Sequence, residues 1–178
     1  ADVRELQIKA LNERFQERKE RIKLLAHRAD EAEITEVLSE ADMVALLFPH
    51  TAYKSYPENY LMEENWDRLN KWLNTISPHA IAAFDTSGIQ DVDDWISHLE
   101  HRHHYISCSS GTTGKSAMLI ASDADMEWSK IDTVNVFSWG SGVKAEQDRQ
   151  IIGCAPVATV PKNTTIGQAH YYAFSNPE

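Results

Sequence analysis

Between Val3 and about Ala29 the apolar residues Val3, Leu6, Ile8, Ala10, Leu11, Phe15, Ile22, Leu25 and Ala26 recur at mostly helical spacing among many Arg, Lys and Glu. That pattern predicts one long amphipathic helix. A second helical pattern covers Asp30 to Phe48, through Ile34, Val37, Leu38, Ala41, Val44, Ala45 and Leu47, and ends at Pro49. Between Pro49 and Pro57, Tyr53, Ser55 and Tyr56 read as an ordered, packed loop. Glu63 to Ile76 predicts a third helix that buries Trp66, Leu69, Trp72 and Leu73 and stops before Pro78. Asp91 to Glu100 predicts a fourth, with Val92, Trp95, Ile96 and Leu99 on one side.

After His101 the texture changes to short runs rich in β-branched and aromatic residues. Tyr105 to Cys108, Ala117 to Ala121, Thr133 to Phe137, Val157 to Val160 and His170 to Phe174 all read as strands. A helix capped by Ser122, from Asp123 to about Lys130, separates two of them. The expected fold class is therefore α/β: a mainly helical region over residues 1–102, then an α/β segment over 103–178, together one incomplete domain.

Composition narrows the function classes. At 178 residues and 42% hydrophobic, the chain has the material for a core. Lys and Arg number 17 against 27 Asp and Glu, a formal charge of −10, which repels a nucleic-acid backbone. Nucleic acid is thus not the expected partner. No stretch approaches the roughly 18 apolar residues of a membrane helix, and the N-terminus lacks a signal-peptide pattern. Cys108 and Cys154 are far apart without CxxC spacing, which argues against a disulfide framework or a zinc knuckle. A cytoplasmic protein without a membrane partner is expected.

The chemistry concentrates in Ser109-Ser110-Gly111-Thr112-Thr113-Gly114-Lys115. Glycines let backbone N–H groups converge on an anion, hydroxyls add donors, and Lys115 adds positive charge, which together suit a di- or triphosphate. A tight hairpin turn uses the same residue types. Seven consecutive suitable residues between two expected strands favour the phosphate loop. Ser109 to Ser116 also nearly meets the Walker pattern, but Ser109 stands where its first glycine belongs. A Walker loop opens directly into a helix, whereas Ala117 to Ala121 reads as a strand.

The run Ile106-Ser107-Cys108-Ser109-Ser110-Gly111-Thr112-Thr113-Gly114-Lys115-Ser116 resembles the signature loop of the adenylate-forming superfamily of acyl- and aryl-CoA ligases, luciferases and peptide-synthetase adenylation domains. Ser116-Ala117 stands where most members have Pro-Lys, a departure shared with the phenylacetate-CoA ligase branch, which also has a helical region before its loop. The resemblance implies an enzyme that activates a small carboxylic acid with ATP to acyl-AMP and pyrophosphate, then passes the acyl group to a thiol such as coenzyme A. Ser109, Ser110, Thr112 and Thr113 would donate hydroxyl hydrogen bonds, Gly111 and Gly114 backbone N–H groups, and Lys115 a charge to the pyrophosphate, with Mg2+ bridging the same oxygens. The family's ribose-binding acidic residue and C-terminal catalytic lysine lie far beyond such a loop. The chain is therefore expected to be the N-terminal part of a longer enzyme, with no catalytic residue of its own, no turnover alone, and the C-terminal part or an oligomer as partner. A Walker-type nucleotide-binding protein and a non-catalytic interaction domain with a relic loop are the alternatives.

His98, His101, His103 and His104 cluster before the loop, and His98 and His101 share a helix face. With only Glu100 near, solvated or capping histidines are expected rather than a metal site. Trp139-Gly140-Ser141-Gly142 reads as a loop after a strand, or as a pocket wall. Trp66, Trp72 and Trp95 read as core.

Overall fold

The computed structural model describes residues 2–109, 114–151 and 161–176, the side chains of 161–164 aside. The chain is mixed α/β and mostly helical. In order come α1 (Val3–Lys19), α2 (Lys23–Glu31), α3 (Glu40–Leu46), a 3-10 turn (His50–Lys54), α4 (Asn59–Met62), α5 (Trp66–Ile76), α6 (Val92–Glu100), β1 (Tyr105–Cys108), β2 (Met118–Ala121), α7 (Asp123–Ser141) and α8 (Pro161–Phe174). β1 and β2 form a two-stranded antiparallel sheet. Two compact units are distinguished: Ala1–Trp95 with Ser109–Met118, and Ile96–Cys108 with Leu119–Glu178. Among the described residues no helix is long and apolar enough to cross a membrane.

In the first unit, the single helix expected from Val3 to Ala29 is instead two. A straight helix would set Phe15 and Ala29 about 21 Å apart. The break at 20–22, where Ile22 is extended at φ −105° and ψ 103°, lets both join one core with Val37 and Leu46, flanked by Leu11, Leu25, Ile34 and Met43. Helix α2 then ends in a Schellman motif: Ile34 N–H donates to Ala29 O at 2.9 Å and Glu33 N–H to Asp30 O at 3.2 Å, with Glu33 at φ 54°. That terminus corrects the helix expected over 30–48, of which α3 is the only part beyond α2. The non-helical stretch between them is held by α1 side chains, since Gln16 Nε2 donates to Thr35 O (2.6 Å) and Val37 N–H to Asn12 Oδ1 (2.9 Å). Ser39 then caps α3, its hydroxyl accepting from Asp42 N–H.

The third and fourth expected helices are present as α5 and α6. Asn65 caps α5 through Arg68 N–H. Trp66, Leu69, Leu73 and Ile76 follow at helical spacing and are all buried. Trp66 and Trp95 stack with centroids 5.8 Å apart, and their indole N–H groups donate to Ile89 O (3.3 Å) and to the buried Asn70 Oδ1 (2.9 Å). Trp72 is only half-buried.

In the second unit, the strands expected at Thr133 to Phe137 and His170 to Phe174 are corrected to helix. A capping box starts α7: Ser122 Oγ accepts from Asp125 N–H, and Asp125 Oδ2 accepts from Ser122 N–H at 2.9 Å. No Gly or Pro then interrupts the chain before Gly140. Valine and threonine cost only a few tenths of a kcal/mol each against alanine in a helix, so helix α7 continues through them to Gly142, a left-handed cap at φ 71°. Helix α8 packs on α7, with His170 Nε2 2.9 Å from Thr133 Oγ1 and Phe137 edge-on to Phe174 at 5.2 Å. Val157 to Val160 lies outside the described residues.

Candidate functional site

The expected phosphate loop joins β1 to β2, the arrangement read from the sequence. Alternation places Ile106 inward at 2% exposure, and Met118 is equally covered at the start of β2. Ser109 closes the neck of the hairpin: its N–H donates to Ala117 O at 3.0 Å, and its hydroxyl accepts from Ala117 N–H at 2.8 Å. Gly114 sits at φ 105°, a conformation that residues with a Cβ rarely adopt. Nothing lies within 4 Å of where its Cβ would be, so conformation rather than space calls for glycine there. Ser110, Gly111, Thr112 and Thr113 lie outside the described residues.

Lys115, half-buried, turns its amine onto Tyr56. Its Nζ donates to the Tyr56 main-chain carbonyl and lies 4.3 Å from the centre of the Tyr56 ring. Next along the chain, the Ser116 carbonyl accepts from the Tyr56 hydroxyl at 2.8 Å. Tyr56 is fully buried, with the Trp72 ring edge-on at 4.9 Å and 70°. Trp72 Nε1 in turn donates to Ser55 Oγ at 2.9 Å. The packed loop expected between Pro49 and Pro57 is thus real, its first half a 3-10 turn, and it anchors the descending side of the hairpin. All these residues belong to the first unit. Nothing local to Tyr56 announces its contact with Lys115, because the partner lies 59 positions away.

Walker geometry is not met. Residues 114–117 are non-helical, β2 follows, and the next helix starts at Asp123. The Walker alternative loses the feature that would have defined it, a helix N-terminus directly behind the lysine.

The histidines separate into individual roles. His101 Nδ1 lies 2.7 Å from Ser97 O, and Arg102 Nη1 donates to the His98 carbonyl at 2.8 Å. His103, at φ 61°, sets Nδ1 3.0 Å from Asp123 Oδ2, while Tyr105 OH donates to Asp123 Oδ1 at 2.8 Å. The Tyr105 hydrogen bond is the main cause that holds the Asp123 carboxyl below the usual aspartate range; burial opposes it, and His103 and His104 add smaller lowering effects. The same bond raises the Tyr105 phenol. Among the described residues no group of three or more His, Cys, Asp or Glu is able to hold a metal ion.

Trp139 to Gly142 is the C-terminal turn of α7 and its cap, which corrects the loop expected there; Trp139 is 89% exposed. Cys108 is exposed at the end of β1, and Cys154 lies outside the described residues. An apolar groove of about 260 Å³ lies in the N-terminal helices, between Leu11, Phe15, Leu25 and Met43, and shares no lining residue with the hairpin. Compared with protein-family models, curated proteins and solved structures, the chain matches none.

Proposed function

We infer that the 109–116 hairpin loop grips the β- and γ-phosphates of ATP in an adenylate-forming enzyme of which this chain is a part, working in the cytoplasm on a small carboxylic acid. In that reaction the acid's carboxylate oxygen bonds to the α-phosphorus as the bond to pyrophosphate breaks. The acyl-AMP then gives its acyl group to a thiol such as coenzyme A, releasing AMP. Mg2+ bound with the nucleotide would supply positive charge to the leaving pyrophosphate. The observation that carries this reading is the order strand, glycine- and hydroxyl-rich loop, lysine, strand: β1 ends at Cys108, Lys115 stands at the base of the loop, and β2 begins at Met118. A hairpin neck fixed by Ser109 and Ala117 holds the ends of such a loop, so that its amides and hydroxyls can be preorganised around an anion.

Isothermal titration with ATP plus Mg2+ tests it. Loss of one charge-assisted hydrogen bond, about 1.5–3 kcal/mol, should make Lys115→Ala bind at least tenfold more weakly. Equal heats from both proteins would favour the second reading, a relic loop in an interaction domain. That reading has its own support in the way Ser109 and Lys115 are already engaged within the fold.

A further inference from the structure

We propose that Tyr56 is a positioning residue of this loop: its ring and main-chain carbonyl hold the Lys115 ammonium at the loop base, and its hydroxyl fixes the neighbouring Ser116. The proposal rests on the phosphate-loop reading and adds to it the residue that readies the lysine for a polyphosphate.

One fully buried residue meets two consecutive residues 59 and 60 positions away through three groups: main-chain carbonyl, ring face and hydroxyl. An ammonium has three N–H donors. The Tyr56 carbonyl takes one, and the ring face attracts the cation through its quadrupole without consuming a particular donor. Donors are left for an anionic ligand. A lysine on a loop otherwise gives up its rotamer freedom when the ligand arrives, and holding its stem beforehand lowers that cost. Tyr56 can serve as such a support because its own ring is fixed. Trp72 packs edge-on against it, and Trp72 is tied to Ser55, the residue just before Tyr56. Gly114, at φ 105°, turns the chain immediately ahead of Lys115.

The test is a double-mutant cycle read by calorimetric titration with magnesium pyrophosphate and with MgATP, using the whole chain. Tyr56→Leu should weaken pyrophosphate binding about two- to thirtyfold, the range of a cation–π contact. In the Lys115→Ala background the same change should have almost no further effect. Tyr56→Phe keeps the ring and should lose only about two- to tenfold, the worth of one hydrogen bond. In NMR spectra the Lys115 ε-protons should show an upfield ring-current shift that survives Tyr56→Phe and disappears in Tyr56→Leu. A Tyr56→Leu effect that persists undiminished without Lys115 overturns the proposal, as does unchanged affinity in a folded Tyr56→Leu. If Tyr56→Leu does not fold, Tyr56→Phe decides: wild-type affinity, or no ring-current shift in the wild type, overturns it. Lys115→Ala binding as wild type is a separate failure, because it removes the phosphate-loop reading on which the proposal rests.

Discussion

Helices α5 and α7 each carry two tryptophans and use them in opposite ways. In α5 the apolar residues fall on one face, so Trp66 is sealed against Trp95 and Trp72 props the Tyr56 ring. In α7 they are spread around the helix; Met126 alone is buried, while Trp128 and Trp139 stand 70% and 89% exposed. Hydrophobicity is common to both helices, and spacing decides which side chains leave water. The first is held by its packed face. The second packs on α8 and is closed at its ends by the Ser122–Asp125 box and the Gly142 cap.

Deleting a ring from each helix probes the contrast most strongly. Trp66→Ala should cost about 3–5 kcal/mol in urea unfolding, whereas Trp139→Ala should stay within about 0.5 kcal/mol; similar losses for the two would erase the distinction. Next comes the cap. Ser122→Ala should cost about 1 kcal/mol and speed amide exchange in the first turns of α7, and unchanged exchange would mean that packing on α8 holds that end instead. The smallest effect concerns Asp123, in the first turn of α7. Its carboxyl is held low in the folded chain, chiefly by Tyr105. Its contribution is therefore present above the unfolded carboxylate pKa and is lost as pH falls through the lower folded value. Tyr105→Phe should raise the Asp123 titration midpoint seen by carboxyl NMR, and an unmoved midpoint would assign the shift elsewhere.

What the sequence made legible was local. Helices α5 and α6, strands β1 and β2 and the Ser122 cap each follow from signals inside their own span. Thr133 to Phe137 has a strand's composition but folds as helix, because β-branched preference is weak and yields to a helix already started and capped upstream. The break after α1 carries no Gly or Pro to announce it. It exists because Phe15 and Ala29 share a core, a tertiary cause. At the candidate site the loop was legible as composition and its flanking strands as pattern. The Tyr56 to Lys115 contact was not, since neither residue's neighbours point to the other.

The bonds from Asn12 and Gln16 to the 35–37 backbone bear on how the chain meets proteases. Glu33 and Glu36 lie in an exposed, non-helical stretch that a glutamate-directed enzyme would ordinarily cut. An extended segment enters a protease cleft by offering its own amides and carbonyls. Here Thr35 O and Val37 N–H are engaged by α1, so the segment must first peel away from that helix before it can be cleaved.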